Sequence, residues 1–500
     1  MSHSSSAAHE ALVVGSGASG LTIALLLAKT GRKVTLIEQQ ASIGGYLRRF
    51  TRKGLRFDTG FHFTAGFDDV MPQILQVLDL ERDVIPSPMH SALYLHESGR
   101  RLEPPATGLS ELAEYLADIF PDDAPAIRRY YQLEQQIVAE TPLFNLHNTE
   151  QMLAPQLSSY DAITLQEYFA EQHFHSSELP AVLGIMAFCH GTPPQEIPLG
   201  QHCRISCGLN RHLSRVEHGG DAFLNGFHRE LKRHGVTIRT NTTIDKMLSF
   251  TADQRCREVL LSTGETLATD TIFFAVHPEC YLPLFPEALL TPSTRRRFGK
   301  YQDTCSFFAI YGRLDHEQPP KQELLQYISS NDLNAVLGPG ANAYGTGMVT
   351  SSERDAQGKK HTTLTAFRNM HLDEFKARCG ITSLQQRHAQ KYLDTKQQIT
   401  AEIVADILRV YPQYAQALTV LDSATPLTFL RYSPPRGSAY GVRIKMSESR
   451  LAGRLPVNNC FALGHHAIMP GILGSILGAF LTFRLAAGEE QYNAVVANAR

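Results

Sequence analysis

The chain opens on an apolar run followed at once by glycines, and the pattern there predicts three elements in succession. Residues 11–14, ALVV, are apolar and end in β-branched side chains, as in a strand covered on both faces. Residues 21–31, LTIALLLAKTG, are apolar on most sides of a helix, with Gly31 as its stop. Residues 33–38, KVTLIE, read as a second buried strand. Between the first strand and the helix lie Gly15, Gly17 and Gly20, in G-x-G-x-x-G spacing. In such a unit the helix start offers unpaired N–H groups and the positive end of its dipole to a phosphate. Gly15 permits the tight turn. Gly17, with Ala18 and Ser19 after it, brings the backbone up to a pyrophosphate, and Gly20 lets the helix pack on the strand. Glu38 ends the second strand, 38 − 20 = 18 residues past the last glycine. A carboxylate there accepts hydrogen bonds from ribose hydroxyls and repels a 2′-phosphate. The expectation is a dinucleotide site, against the alternative of a glycine turn with no ligand. The motif alone does not separate FAD from NAD.

Farther along, residues 70–150 read mainly as helices, because VMPQILQVLDL and LSELAEYLADIF place apolar residues three and four apart. ITLQEYFAEQ and LPAVLGIMAFCH extend that helical block. In 215–248 a Gly219–Gly220 turn precedes a helix to about Arg233 and strands at TIR and IDKML. ETLATDTIFFAV (265–276) reads as one buried strand, and NCFALG (459–464) as a strand with a glycine turn. A helix of small and apolar residues runs from Ile472 to about Ala487. Its slim face of Gly474, Ser475 and Gly478 suits either a close cofactor or tight helix packing. GPGANAYGTG (338–347) imitates a nucleotide loop, but without a strand before it and a helix after it the reading is a surface loop.

Length and composition narrow the class. Five hundred residues exceed what one core usually serves, so two or more folding units are expected. Apolar residues at 43% and charged residues at 19% are a globular balance. The net charge of −2 argues against a nucleic-acid partner. Eight dispersed cysteines suit reduced, buried thiols of a cytoplasmic protein. Cys203, Cys207 and His202 lack a fourth ligand at a sensible spacing, so no metal is expected. The opening MSHSSSAAHE lacks the basic and apolar blocks of a secretory signal. No run reaches the roughly 18 apolar residues of a spanning helix. Peripheral contact with the inner face of a membrane stays open, through amphipathic helices.

The residues after Glu38 favour FAD. QQASIGGYLRRFTRKGLRFDTGFHF (39–63) holds Gly44–Gly45, then Tyr46 and Arg48, then an extended GLRFDTG. This resembles the FAD signature of the amine-oxidase and phytoene-desaturase superfamily. There the turn wraps the ribityl-pyrophosphate, an Arg near the position of Arg48 contacts it, and a residue at the position of Ile244 lies against the adenine. Tyr46 and Leu47 separate Arg48 from the glycines, a departure that loosens its assignment. The carboxy-terminal P-G-I-x-G-S-x-x-G-A, with G-S-A-Y-G, T-P-L-T and the D-T-G-F-H-F of 58–63, looks like the carotenoid-isomerase and retinol-saturase branch. A further departure is the His465–His466 pair after Gly464, where family members often carry an acidic or small residue.

The resemblance implies an α/β fold: a Rossmann-like FAD-binding domain interleaved with a mixed α+β substrate-binding domain. The FAD domain would comprise 1–85, 215–280 and 425–500, and the substrate domain 86–214 and 281–424. Gly464, Gly471 and Ile472 join the cofactor contacts, the last two through N–H groups at a helix start. The implied activity is oxidation, reduction or redox-dependent cis–trans isomerisation of C=C bonds in a long polyene, carotenoid- or retinoid-like. The flavin supplies the hydride chemistry. His62 is the first candidate for a proton source, with His465 and His466 behind it. The electron donor or acceptor is open, and a polyunsaturated fatty acyl chain is an alternative substrate. Two other readings are a flavin amine oxidase, which the absence of Trp disfavours, and a non-catalytic prenyl-binding escort resembling the GDP-dissociation inhibitors, which would not need the full FAD signature.

Overall fold

The computed structural model describes residues 10–497, except 107, 149–157, 316–321, 341, 434, 446–452 and 468. The opening MSHSSSAAH, read above for a leader, lies outside the described residues, as does Ala341 of the 338–347 stretch.

Strand β1 (Glu10–Val14) is the centre of a five-stranded sheet. On one side lie β2 (Lys33–Ile37) and then Thr237–Arg239; on the other lie Thr271–Phe274 and then Cys460–Ala462. Every adjacent pair is parallel. Parallel neighbours need a crossover, and α1 (Ala18–Lys29) supplies the first. Residues Ser19 through Ala28 of α1 are all buried. The helix has no polar face because β1 and β2 cover it on one side and the helix Gly471–Ala487 on another. It begins at Ala18, earlier than the apolar pattern indicates, because the small residues of its first turn are pressed against the glycine turn. Strand order reverses at β1, so the loops leaving β1 and Phe274 diverge. A crevice opens at the carboxyl edge of the sheet, where parallel sheets place ligands.

The stretch 265–276 is two strands. Thr266–Ala268 pairs antiparallel within a three-stranded sheet with Ile244–Phe250 and Cys256–Leu261, whereas Thr271–Phe274 joins β1. The break falls at Asp270, whose carboxylate accepts the Glu10 N–H at 3.1 Å and so ties the second piece to the central sheet.

The third large layer is a seven-stranded sheet, in order Leu418–Ala424, Ser306–Leu314, Lys360–Met370, Gly345–Arg354, Glu323–Ile328, His90–Leu95 and Arg100–Leu102. Region 70–150 is therefore not all helical. His90–Leu95 pairs in parallel with Glu323–Ile328, a partner no local pattern reveals. The helices Leu109–Ile119, Ala124–Ala139 and Leu199–Arg211 share a core with Leu93, Leu95 and Leu102 from the edge of this sheet. Among the described residues no helix is long and apolar enough to cross a membrane.

Candidate functional site

The crevice opens into a cavity of about 810 Å³. All the residues nominated from the sequence line it except Gly20 and Gly44, which support its wall from behind. A Cβ on Gly20 would fall 1.9 Å from the Gly15 carbonyl oxygen, so the first turn of α1 sits directly on the strand turn. Gly17 differs: a Cβ there would meet nothing within 4 Å. The start of α1 has no side-chain cap and no acid in its first turn. Unpaired N–H groups thus face open space, a place that an anion completes.

Glu38 is buried and already engaged. It accepts the Ser16 N–H at 3.0 Å, the Ser16 hydroxyl at 2.6 Å and the Gln40 N–H at 2.8 Å. The Ser16 hydroxyl also accepts the Gly44 N–H at 3.1 Å, fastening the Gly44–Gly45 turn to the first glycine turn. Arg48 donates to the Gly45 carbonyl at 3.1 Å and lies over the Tyr432 ring at 5.4 Å. Tyr46 donates to the Ser438 carbonyl at 3.0 Å. Ile244 begins its strand on the cavity wall. A Cβ on Gly464 would fall 2.7 Å from the Ser19 hydroxyl, so the turn after Cys460–Ala462 packs closely against the first turn of α1. Gly471 and Ile472 open a second helix with no side-chain cap, also on this wall.

His62 is buried, and its carbonyl accepts from Arg215 at 3.1 Å. Its Nδ1 lies 4.0 Å from the Asp58 carboxylate and has no hydrogen-bond partner among the described residues. Burial lowers its pKa to about 4, with Asp58 opposing and Arg215 reinforcing the shift. The imidazole is neutral at pH 7. It can accept a proton or donate a neutral N–H, but it is not a preloaded cation.

Below His62 lies a charge network the sequence reading missed. Asp58 meets Arg49 at 2.8 Å and Arg215 at 2.6 Å, and Arg49 meets Glu353 at 2.5 Å. Burial alone would raise Asp58, but Arg215 and Arg49 beside it overcome that and hold it below the usual carboxylate range. Asp58 stood inside the FDTG motif, a visible signal; Arg49, Arg215 and Glu353 carried none.

The histidine pair lines the same cavity. His465 and His466 share an Nε2···Nε2 contact of 2.8 Å. His466 meets the His277 ring edge-on with centroids 4.8 Å apart, and His277 Nε2 contacts Asp303 at 2.9 Å. Burial lowers His465 to about 4, with His277 reinforcing and Asp303 opposing the shift. His277 was not nominated from the sequence.

Two apolar groups complete the wall. One is aromatic: Phe63, Phe307, Phe367, Phe429 and Tyr440. The other comprises Val138, Phe144, Ile205, Leu209, Met469 and Leu473. Away from the cavity, His202 and Cys203 are buried, and His202 contacts His190 at 3.0 Å rather than forming a ligand set. Among the described residues Asp79, Glu230 and His234 come close enough for a metal, but Lys29 meets Asp79 at 2.5 Å and Arg233 meets Glu230 at 3.0 Å.

Comparison with known proteins agrees with this architecture. Residues 13–79 match the model of an NAD(P)-binding Rossmann-like domain. The all-trans-retinol 13,14-reductase of Danio rerio is 22% identical over 94% of this chain and 84% of its own length. A 4,4'-diaponeurosporene oxygenase of Staphylococcus aureus is 24% identical over 52% of this chain and 54% of its own. The chain is similar to these oxidoreductases. Among solved structures, a putrescine oxidase with putrescine bound superposes with a TM-score of 0.64 at 16% identity, covering 96% of this chain and 98% of that one. At that identity the likeness is one of fold. It gives this chain the amine-oxidase-like architecture that the glycine and Gly44–Gly45 motifs had indicated.

Proposed function

We propose that the protein is an FAD-dependent oxidoreductase acting on C=C bonds of a long apolar polyene, as a saturase, desaturase or redox-dependent isomerase. One observation carries this reading. A single cavity joins an uncapped helix start, open at Gly17, to walls of aromatic and aliphatic side chains. The retinol reductase and diaponeurosporene oxygenase relatives, both named for polyene chemistry, support the substrate class.

The residues present fit a flavin dinucleotide. The open space at Gly17 and the unpaired N–H groups of Ala18 and Ser19 suit a pyrophosphate. Glu38 would hold ribose hydroxyls with its remaining lone pairs, Arg48 and the Gly44–Gly45 turn would flank the diphosphate, and Ile244 would lie against the adenine. The second uncapped helix start, at Gly471 and Ile472, would stabilise negative charge on a ring system. When bound, FAD supplies hydride transfer to or from carbon. The chain contributes the rest. The aromatic wall orients an apolar chain and excludes water. Neutral His62 can take or give a proton through an imidazole nitrogen; its Nδ1 is buried beside Asp58 and has no partner among the described residues.

In this reading 1–85, 215–280 and 425–500 form the cofactor unit, and 86–214 and 281–424 the substrate unit. All five parallel strands fall in the first set, and all seven strands of the large sheet in the second. Peripheral membrane contact is part of the proposal, since apolar substrates partition into bilayers.

The test is a visible flavin spectrum in the purified protein, followed by product analysis with retinoid, carotenoid and fatty-acyl polyenes under reducing and oxidising conditions. A protein that neither carries nor takes up flavin overturns the reading. Peroxide release from amines, with polyenes unchanged, would move it to the amine-oxidase chemistry of its fold neighbours.

A further inference from the structure

The His277, His465 and His466 imidazoles lie on the cofactor side of the cavity. His277 follows the strand Thr271–Phe274, and a Cβ on Gly15 would collide with its neighbours Ala275 and Val276. His465 follows Gly464, whose Cα is held against Ser19 in the first turn of α1. The three rings are therefore anchored to the same backbone that forms the anion cradle. They form one cluster: His465 contacts His466 at 2.8 Å, and His466 packs edge-on against His277 at 4.8 Å. A Cβ on Gly441 would strike both His465 and His466, so the backbone there closes the cluster from behind.

The proton positions follow from the contacts. His277 Nδ1 accepts the Glu279 N–H at 3.2 Å, so its Nε2 carries the proton and donates to Asp303. Only one of His465 and His466 can donate in their Nε2···Nε2 contact. His466 Nδ1 is buried and has no partner among the described residues. The charged groups around the cluster are few. Asp303 lies behind His277, with Arg436 3.9 Å from its other oxygen and paired with Glu279 at 2.9 Å. Tyr46, beside the His465 ring, is pushed by burial up to about 12 and stays neutral. Among the described residues nothing anionic other than Asp303 faces the rings, so an arriving anion would change their protonation strongly.

Resting on the cofactor reading above, we propose that this histidine cluster is a proton-accepting part of the cofactor site, taking up a proton when an anionic dinucleotide enters. The diphosphate diester is fully ionised near neutral pH and brings no proton of its own, so the proton comes from solvent. Burial keeps His465 and His466 neutral in the unliganded protein. A neighbouring diphosphate favours the charged form, and the bound state then holds more protons than the free one. Binding tightens as pH falls.

Calorimetric titration of flavin-stripped protein with FAD, at one pH near 6.5 in two buffers of different ionisation enthalpy, counts the protons directly. The expected uptake is about 0.5 proton per FAD, with Kd falling roughly three-fold for each pH unit lowered. In His465→Asn and His466→Asn, singly and together, uptake should drop toward zero while a folded protein still binds FAD more weakly. Uptake that persists unchanged in folded variants overturns the proposal. Tight FAD binding by the unmodified protein with no proton exchanged overturns it alone and leaves the cofactor reading standing. No FAD binding at all removes both.

Discussion

The His62 imidazole lies flat on the Phe367 ring, with centroids 4.6 Å apart and planes 8° from parallel. The pair joins the first cofactor-motif segment to the long strand Lys360–Met370, and both rings face the cavity. A ring held this way has its plane fixed and only its edge nitrogens left for chemistry. His62→Phe preserves the stacked ring and removes both ring nitrogens. Under the proposed function turnover falls about ten-fold or more, with flavin content and melting temperature nearly unchanged. Steady-state rates beside thermal unfolding check this. An unchanged rate would reduce His62 to a packing residue.

The same burial predicts acid sensitivity. His62 is lowered to about 4 and His202 to about 3, both by desolvation. Their unfolded values lie near 6.5. Below that pH the unfolded chain binds protons that the folded chain does not, so stability is full above about pH 6.5 and declines as pH falls toward 4. His62 alone accounts for a loss on the order of 3 kcal/mol by pH 4. Thermal unfolding across this range should show a falling midpoint, and His62→Phe should make the fall shallower. A midpoint flat from pH 7 to pH 4.5 would contradict the buried neutral state.

The glycines separate folding from binding. At Gly20 a methyl would strike the Gly15 carbonyl oxygen, and a backbone atom cannot move aside cheaply. Gly20→Ala should destabilise the whole protein by a few kcal/mol, in the overpacking range. At Gly17 the added side chain enters open space. Gly17→Val should leave the melting temperature of the flavin-free protein within a few degrees while abolishing flavin uptake. The ratio of flavin to protein absorbance, measured with the melting curve, tests both. Loss of folding in Gly17→Val would show that the open space is filled in solution.

What could be read from the sequence was what is local. Gly15, Gly17, Gly20 and Glu38 act within one strand–helix–strand unit, and their spacing already encodes the turn. The Gly44–Gly45 turn and the helix at Gly471 were legible for the same reason. Contacts between distant segments were not. His90–Leu95 looked like part of a helical block because its alternation is imperfect, and its partner strand is more than two hundred residues away. The stretch 265–276 looked continuous because both pieces are apolar; only pairing to different sheets divides it. His277 carried no signal, since its role arises where two parallel strands end side by side.

Arg49, Asp58, Arg215 and Glu353 show the limit most sharply, and they also yield the strongest stability prediction. Their side chains are at most 10% exposed, and the charges balance: two guanidiniums against two carboxylates. Removing one member leaves a buried charge without its counterpart, which typically costs about 3–5 kcal/mol. Asp58→Asn should therefore destabilise strongly, because Arg49 and Arg215 then face each other across a neutral amide. It should also loosen the His62 segment, whose carbonyl Arg215 holds at 3.1 Å. Arg215→Met removes the same tether and leaves Asp58 with Arg49 alone. Because the two residues share one contact, the double substitution should cost less than the sum of the singles, by about 1 kcal/mol or more. Denaturant unfolding of the four proteins completes the cycle. Strict additivity would mean that the 2.6 Å contact between Asp58 and Arg215 contributes little to the folded state.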